Sequence, residues 1–137
     1  MNVVVVGCGR VGSALASTLS DDGHSVTIMD LNSDAFRRLP PGFPGSTIVG
    51  NGIDEPALRR AHIESADMFV ALTQGDNRNL MSAQIAKHVF KVPRVMARVY
   101  DPSRAALFGE LGLETISSTR IISGMVRERM NRSDPGG

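Results

Sequence analysis

Cysteine and aromatic residues are scarce in this 137-residue chain, and each scarcity excludes some structural and functional classes. The single cysteine, Cys8, excludes an internal disulfide bond and fits a reducing compartment, where free cysteine usually serves as a small buried residue. Aromatic residues make up 4% of the chain and tryptophan is absent, so stacking surfaces for single-stranded nucleic acid are not expected. The net charge of +1 likewise gives no basis for binding nucleic acid or an anionic membrane.

Long hydrophobic runs and catalytic motifs are also missing. No stretch approaches the roughly 18 apolar residues of a membrane-spanning helix, so we expect no direct membrane insertion. The apolar run Val3–Val6 lacks a basic segment before it and is predicted to be a strand and not a signal peptide. The three histidines share no metal-binding spacing, and the H-E-x-x-H, C-x-x-C and G-x-S-x-G motifs do not occur. The sequence therefore predicts neither a metal site nor a hydrolase.

What the sequence does contain is a glycine motif in the context that binds nucleotides. Val3–Val6 leads into a G-x-G-x-x-G motif at residues 7–12, and a helical segment follows. A second apolar run, at residues 25–29, ends in Asp30, about 20 residues beyond the motif. A strand before the glycines, a helix after them and an acid at the end of the next strand form a strong signature. We therefore predict that the domain binds the pyrophosphate and ribose of a nucleotide.

Strand and helix patterns alternate along the rest of the chain, which predicts an α/β fold. Apolar runs such as Val3–Val6 and Met68–Leu72 lack polar alternation, as expected for strands that are buried on both faces. We predict a Rossmann-like, doubly wound parallel sheet of six strands in the order 3-2-1-4-5-6, with helices on both faces. A single domain over residues 1–130 and a flexible polar tail at 131–137 are expected. The predicted strands are 2–6, 25–29, 46–49, 68–72, 92–99 and 113–116.

The residues of the glycine motif have separate expected roles at a phosphate. Gly7 permits the tight turn, Gly9 lets the backbone approach the pyrophosphate, and Gly12 lets the following helix pack closely on the sheet. Free N–H groups at the start of that helix, at Arg10 and Val11, face the anion. The Arg10 side chain can add a charge-assisted contact to a phosphate, and the alternative is a solvated surface arginine.

Asp30 is the expected acceptor for the hydroxyl groups of an adenosine ribose. A carboxylate at this position would repel a 2′-phosphate, which favours NAD over NADP. Because NAD, ATP and ADP all carry an adenosine ribose, Asp30 does not separate them. The alternative is that Asp30 caps the next helix, and one carboxylate can do both.

Other polar residues are predicted to lie at the same edge of the sheet. Asn51 follows the third strand, Thr73 follows the fourth, and Arg98 lies near the end of the fifth. Asp76 and Asn79 fall in the first turn of the helix after the fourth strand. Ligands of such sheets bind beyond the carboxyl ends of the strands, so these residues are candidates for ligand contact. The alternative is that they are caps and turn residues.

The last predicted helix, Arg120–Met130, has a methionine-rich apolar face, and we expect Ser118 or Thr119 to cap it. One interpretation is that this face packs on the sheet. The other is that it forms a dimer interface, where methionine adapts to an irregular surface. The apolar residues are Ile121, Ile122, Met125, Val126 and Met130.

Beyond the glycine motif and Asp30, longer segments of the chain resemble one family. These segments are Gly50–Ala61, Ile63–Asp67, Ala71–Thr73 with Asp76 and Asn79-Leu80, and Val92–Val95 with Ala97–Pro102. They resemble the N-terminal nucleotide-binding lobe of TrkA-type potassium uptake proteins, also called the RCK, KTN or TrkA-N domain. The resemblance spans nearly the whole chain, and its middle segment is more specific than the glycine motif.

The resemblance implies a regulatory, non-catalytic role in potassium transport. In such domains NAD(H), ATP or ADP binds and changes the shape of a ring-like assembly that gates a membrane potassium transporter or channel. The implied ligand is therefore NAD(H), or alternatively ATP or ADP. The implied protein is a cytoplasmic homodimer or higher ring, held at the inner face of the cell membrane through a potassium-transport subunit. Many members continue into a C-terminal lobe, which here would be truncated or supplied by a separate chain.

The resemblance also implies roles for individual residues. The glycine motif and Arg10 would hold phosphates, and Asp30 would hold the ribose. Thr73 and Arg98 match positions that line the site. Asn51 stands where the family often has aspartate, and both side chains can accept a hydrogen bond. The last helix would be the crossover element of the family's dimer.

A different hypothesis is that the chain is the cofactor-binding lobe of a small NAD-dependent oxidoreductase. A dehydrogenase usually needs a substrate domain and a proton donor held at the nicotinamide. The chain is long enough for one domain, and its single tyrosine, Tyr100, lies beside a predicted helix start. These features favour the regulatory sensor over the oxidoreductase.

Overall fold

Six parallel strands form one sheet in the computed structural model, which describes residues 1–132 of the chain. The strand order is β3-β2-β1-β4-β5-β6. The fold class and the strand order that the sequence predicts are therefore confirmed. The strands are β1 (Asn2–Val6), β2 (Ser25–Asp30), β3 (Ser46–Val49), β4 (Met68–Ala71), β5 (Arg94–Arg98) and β6 (Glu114–Ile116).

Helices connect the strands. The α-helices are α1 (Arg10–Asp21), α2 (Glu55–Arg60), α3 (Asp76–Gln84), α4 (Pro102–Glu110) and α5 (Ser118–Asn131). Shorter helical segments are the 3₁₀ helices Ser33–Arg38 and Ile63–Ser65, and a π-helical turn, Ile85–Val89, that continues α3. Among the helices of residues 1–132, none is both long enough and apolar enough to cross a membrane.

The central strands β1 and β4 are buried on both faces of the sheet, which explains their unbroken apolar runs. Alternate residues of β1 point to opposite sides. Val3 and Val5 belong to one hydrophobic cluster with Ala16 of α1. Val4 and Val6 belong to a second cluster that includes buried residues of α2 and α3. Because both faces are covered, the polar edge at the carboxyl ends of the strands is where a ligand can reach the sheet.

The structure starts β5 two residues later than the sequence predicts. The N–H group of Val92 donates to the carbonyl oxygen of Ala86 at 3.0 Å and so belongs to the end of the preceding helix. Pro93 then has no N–H group for a strand partner. Pairing therefore begins at Arg94, opposite Met68 of β4.

α5 exposes its apolar face. All residues from Thr119 to Asn131 are exposed, and Met130 reaches 78% of its full exposure. The cap is Ser117, whose hydroxyl oxygen accepts the N–H group of Arg120 at 3.3 Å, so the predicted caps at the next two residues are wrong. In the single chain this face does not pack on the sheet, so that interpretation is wrong. The alternative, a dimer interface, stays a prediction.

The predicted tail overlaps the end of α5. Its first residue, Asn131, is the last residue of the helix, and Arg132 follows. The rest of the predicted tail, residues 133–137, lies outside the described residues.

Candidate nucleotide-binding site

A cleft of about 300 Å³ opens at the carboxyl ends of the central strands. It lies beside β1 and β4, where the strand order reverses direction, and this is the usual ligand position in a doubly wound sheet. The predicted residues that line it are Gly7, Gly9, Asp30 and Thr73. The others that line it are Val6, Cys8, Leu31, Asn32, Ala35, Arg38, Gly50, Gly52, Leu72, Gln74 and Arg78.

The glycine motif forms the turn between β1 and α1. Gly7 has a φ of 108°, in a region that favours glycine, and an added Cβ would lie 2.8 Å from the main chain of Leu72. An added Cβ at Gly12 would overlap the carbonyl oxygen of Gly7, so α1 can approach the turn only because this residue is glycine. Both positions match the roles that the sequence predicts for them.

Gly9 differs from the other two glycines because a side chain at this position would point into open space. Among the described residues, no atom beyond its chain neighbours lies within 4 Å of an added Cβ, and Gly9 lines the cleft. Gly9 is also the N-cap of α1 and has no side chain to cap it. The first N–H groups of the helix, at Arg10 and Val11, therefore form a positive end that fits a phosphate group. Both residues are exposed there.

Asp30 is fixed by two main-chain hydrogen bonds. Its Oδ2 accepts the N–H group of Cys8 at 2.8 Å, and its Oδ1 accepts the N–H group of Asn32 at 2.9 Å. Each carboxylate oxygen has a further lone pair for a ligand hydroxyl group. The cap of the following 3₁₀ helix is Asn32, whose Oδ1 accepts the N–H group of Asp34 at 3.0 Å. The alternative that Asp30 caps this helix is therefore wrong.

Cys8 is a buried filler of the glycine turn, as expected. Its thiol donates to the carbonyl oxygen of Ala35 at 3.4 Å. Burial raises the pKa of the Cys8 thiol above its ordinary value, the Asp30 carboxylate raises it further, and the Arg38 guanidinium opposes both. The group is therefore neutral near pH 7 and contributes packing.

Asn79 and Arg98 lie behind the wall of the cleft and hold it in place. Asn79 is fully buried, and its Oδ1 accepts both the N–H group of Thr73 at 2.8 Å and the Thr73 hydroxyl at 2.6 Å. Arg98 is 8% exposed and donates to the carbonyl oxygens of Leu72 at 2.8 Å and Thr73 at 3.0 Å. The sequence placed both residues at this edge as candidates for ligand contact. Neither lines the cleft, and the supporting role that they have was not predicted.

Asp76 and Asn51 occupy turns at the same edge. The Asp76 carboxylate accepts the N–H groups of Tyr100 at 2.7 Å and Asp101 at 2.9 Å, which ties α3 to the start of α4. Asn51 Oδ1 accepts the N–H group of Ile53 at 3.2 Å in the loop after β3. These bonds match the turn and cap alternatives, and direct ligand contact by either residue stays a prediction.

Sequence reasoning missed two cations on the wall, Arg38 and Arg78. Arg78 follows Asp76 in the first turn of α3, so the strand-edge argument that selected Asp76 could also have found it. Arg38 lies eight positions beyond Asp30, and only the 3₁₀ fold of the segment between them returns it to the cleft. Within residues 1–132, no group of three or more histidine, cysteine or acidic side chains could hold a metal ion.

Comparison with known proteins gives one consistent family. The model of the TrkA-N domain matches residues 3–119. The Trk system potassium uptake protein TrkA of Streptomyces coelicolor is 42% identical over 130 residues, which cover 95% of this chain and 58% of that protein. A TrkA homolog of Methanothermobacter thermautotrophicus is 35% identical over 133 residues, covering 96% of this chain and 61% of that protein. The chain thus spans about three fifths of the length of these relatives.

Solved structures agree on the fold. The TrkA-N domain of the inner membrane protein ybaL from Escherichia coli superimposes with a TM-score of 0.85 at 20% identity, over 95% of this chain and 96% of that one. The GsuK channel bound to NAD has a TM-score of 0.73 at 19% identity, over 88% of this chain and 22% of that one. The same values apply to GsuK bound to ADP, of which 32% is covered. At these identities the likeness shows the fold alone.

Proposed function

The chain belongs to the TrkA-N domain family, and we propose that it is the nucleotide-binding part of a regulatory subunit of a Trk- or Ktr-type potassium uptake system. In this proposal it senses NAD(H), or alternatively ATP or ADP, and gates a membrane potassium transporter. The curated relatives support the potassium-uptake assignment, since two of them carry that name at 42% and 35% identity.

One observation carries the nucleotide assignment. The uncapped start of α1 and the fixed carboxylate of Asp30 belong to the same short stretch of the cleft, because Asp30 binds the N–H group of Cys8 inside the glycine turn. A phosphate suits the helix start, and ribose hydroxyl groups suit a carboxylate. We expect Gly9, Arg10 and Val11 to hold the phosphates. Thr73 would then line the remainder of the nucleotide.

The adenosine half does not separate the candidate ligands. NAD(H), ATP and ADP all present a ribose and a 5′-phosphate to these groups, so all three fit the same residues. The GsuK structures with NAD and with ADP support the view that such folds can bind either a dinucleotide or an adenine mononucleotide. We place NAD(H) first because the motif spacing is that of dinucleotide sites.

We infer a regulatory and not a catalytic role. The titratable side chains that line the cleft are Cys8, Asp30, Arg38 and Arg78. The thiol is buried and bonded to a carbonyl oxygen, and the carboxylate holds two main-chain N–H groups. Neither is arranged as a proton donor for hydride transfer. This arrangement favours the sensor over the oxidoreductase lobe.

Gating requires that the ligand changes the balance between two arrangements of an assembly. It can do so only if it binds the two arrangements with different affinity. We propose that the exposed face of α5 joins two copies of the chain into a homodimer or a larger ring. The other partners would be the potassium-transport subunit and a C-terminal lobe. The assembly would lie in the cytoplasm against the inner face of the membrane.

Titration calorimetry of the 137-residue chain with NAD⁺, NADH, ATP and ADP tests the ligand assignment. We expect at least one of them to bind with a Kd well below ~1 mM, which corresponds to about −4 kcal/mol. Failure of all four to reach that affinity would remove the basis of the proposal. In cells that depend on the cognate transporter, Gly12→Ala should then impair regulation of potassium uptake, and Gly109→Ala should not.

A further inference from the structure

Arg38 places a cation beside Asp30 on the wall of the cleft. Both residues line it. One guanidinium nitrogen of Arg38 donates to the carbonyl oxygen of Cys8 at 3.4 Å, and Asp30 accepts the N–H group of the same residue at 2.8 Å. The two opposite charges therefore bind the two main-chain groups of a single residue in the glycine turn.

The charge of Arg38 is available to a ligand. In the ion pairs of residues 1–132, Arg37 is paired with Asp34 at 3.7 Å, whereas Arg38 takes part in none. Arg38 is exposed, and its bond to Cys8 uses one of the five N–H donors of a guanidinium. Its field also reaches the Cys8 thiol, where it opposes the effect of Asp30 on the thiol pKa.

The negative charge of Asp30 is also moderated. Each of its carboxylate oxygens accepts a main-chain N–H group, from Cys8 and from Asn32. The positive ends of these two N–H dipoles point at the carboxylate and partly offset its field. Repulsion between Asp30 and a nearby anion is thus weaker than an isolated carboxylate would give.

We propose that Arg38 lets the adenosine-ribose end of the cleft accept a 2′-phosphate, so that the site takes NADP(H) as well as NAD(H). An acidic residue after the second strand of such folds selects a free ribose, whereas an arginine nearby accommodates a 2′-phosphate. This chain has both. The inference rests on the proposed nucleotide site, and it revises the expectation from Asp30 alone that NAD is favoured over NADP.

NAD⁺ and NADP⁺ differ only by the 2′-phosphate, so calorimetric titration of the intact chain with each isolates the contribution of that group. We expect the unaltered chain to bind the two with Kd values within about tenfold of each other, a difference of about 1.4 kcal/mol. Arg38→Ala should weaken NADP⁺ by about tenfold or more and NAD⁺ by less than about threefold, because one charge-assisted contact is lost. Arg38→Lys should keep part of the NADP⁺ affinity because it keeps the cation.

Arg37→Ala is the matched control, since Arg37 is the adjacent exposed arginine and is paired with Asp34. It should leave both affinities unchanged. Equal weakening of NAD⁺ and NADP⁺ by Arg38→Ala would overturn the inference, as would rejection of NADP⁺ by a chain that binds NAD⁺, ATP or ADP. In that last case the proposed function stands. If none of these nucleotides binds, the proposed function itself fails.

Discussion

Asn79 and Thr73 are joined by three hydrogen bonds. The Asn79 side-chain oxygen accepts the N–H group and the hydroxyl of Thr73, and its amide nitrogen donates to the Thr73 carbonyl oxygen at 3.0 Å. The same nitrogen donates to the carbonyl oxygen of Arg98 at 2.9 Å. One buried amide therefore satisfies the main chain at the ends of β4 and β5, beside the cleft.

Replacing Asn79 with alanine should destabilise the fold strongly. The change removes a partner from the partly buried N–H group of Thr73 and from two carbonyl oxygens, and a buried polar group left with no partner costs about 1–3 kcal/mol. We expect urea unfolding to show a loss of about 2–4 kcal/mol. Asn77→Ala is the control, because Asn77 lies on the exposed side of the same helix turn and its side chain bonds only to Arg104 within residues 1–132. A similar loss in both variants would contradict this role.

Two glycines should respond to alanine in opposite directions. At Gly12 the new methyl group would overlap the Gly7 carbonyl oxygen, so α1 must move away from the glycine turn. At Gly109, in α4, the methyl group meets open space, and replacing a helical glycine stabilises by about 0.5–1 kcal/mol. Thermal unfolding should therefore show a lower Tm for Gly12→Ala and an unchanged or higher Tm for Gly109→Ala. A Tm for Gly12→Ala at or above that of the unaltered chain would be the contrary result.

The global fold could be predicted because its signals are local and repeated. Val3–Val6 is apolar at every position, which identifies a strand that is covered on both faces. The glycine motif identifies the tight turn that leads from this strand into α1. The supporting roles of Asn79 and Arg98 could not be predicted in this way. A polar residue at a strand end has the same sequence pattern whether its side chain enters the cleft or turns into the wall. That direction depends on contacts between β4 and β5, which are distant in the sequence.

Asp30→Ala should weaken any adenosine ligand by roughly 1–3 kcal/mol, since hydrogen bonds from ribose hydroxyl groups to a charged acceptor are lost. Calorimetry with the tightest of NAD⁺, NADH, ATP and ADP measures the effect. Asp34→Ala removes a carboxylate from the neighbouring 3₁₀ helix, where its partner is the exposed Arg37, and serves as the control. An unchanged affinity in Asp30→Ala would contradict the ribose assignment.

Ionisation of the Cys8 thiol should lower the free energy of unfolding at high pH. Burial raises the pKa of the folded thiol, so above the pKa of the unfolded thiol the folded state holds more protons than the unfolded state. The stabilisation is complete below the unfolded pKa and is lost as the pH rises toward the folded pKa. Urea unfolding between pH 7 and pH 10 should show a steeper decline for the unaltered chain than for Cys8→Ala. Parallel curves would show that the thiol does not titrate differently on folding.

The exposed face of α5 should set the oligomeric state. Ile122 is 62% exposed and Met130 78%, and such apolar surface is stabilised when a second copy covers it. Ile122→Glu would place a charge inside that contact, whereas Arg127→Glu changes a residue outside the set of five apolar positions on the same helix. Analytical ultracentrifugation should show a dimer or larger species for the unaltered chain and for Arg127→Glu, and a shift to monomer for Ile122→Glu. If the unaltered chain is a monomer at all accessible concentrations, or if Ile122→Glu assembles normally, then α5 is not the interface. The far-UV circular dichroism of Ile122→Glu should stay unchanged, because Ile122 lies outside both hydrophobic clusters of the domain.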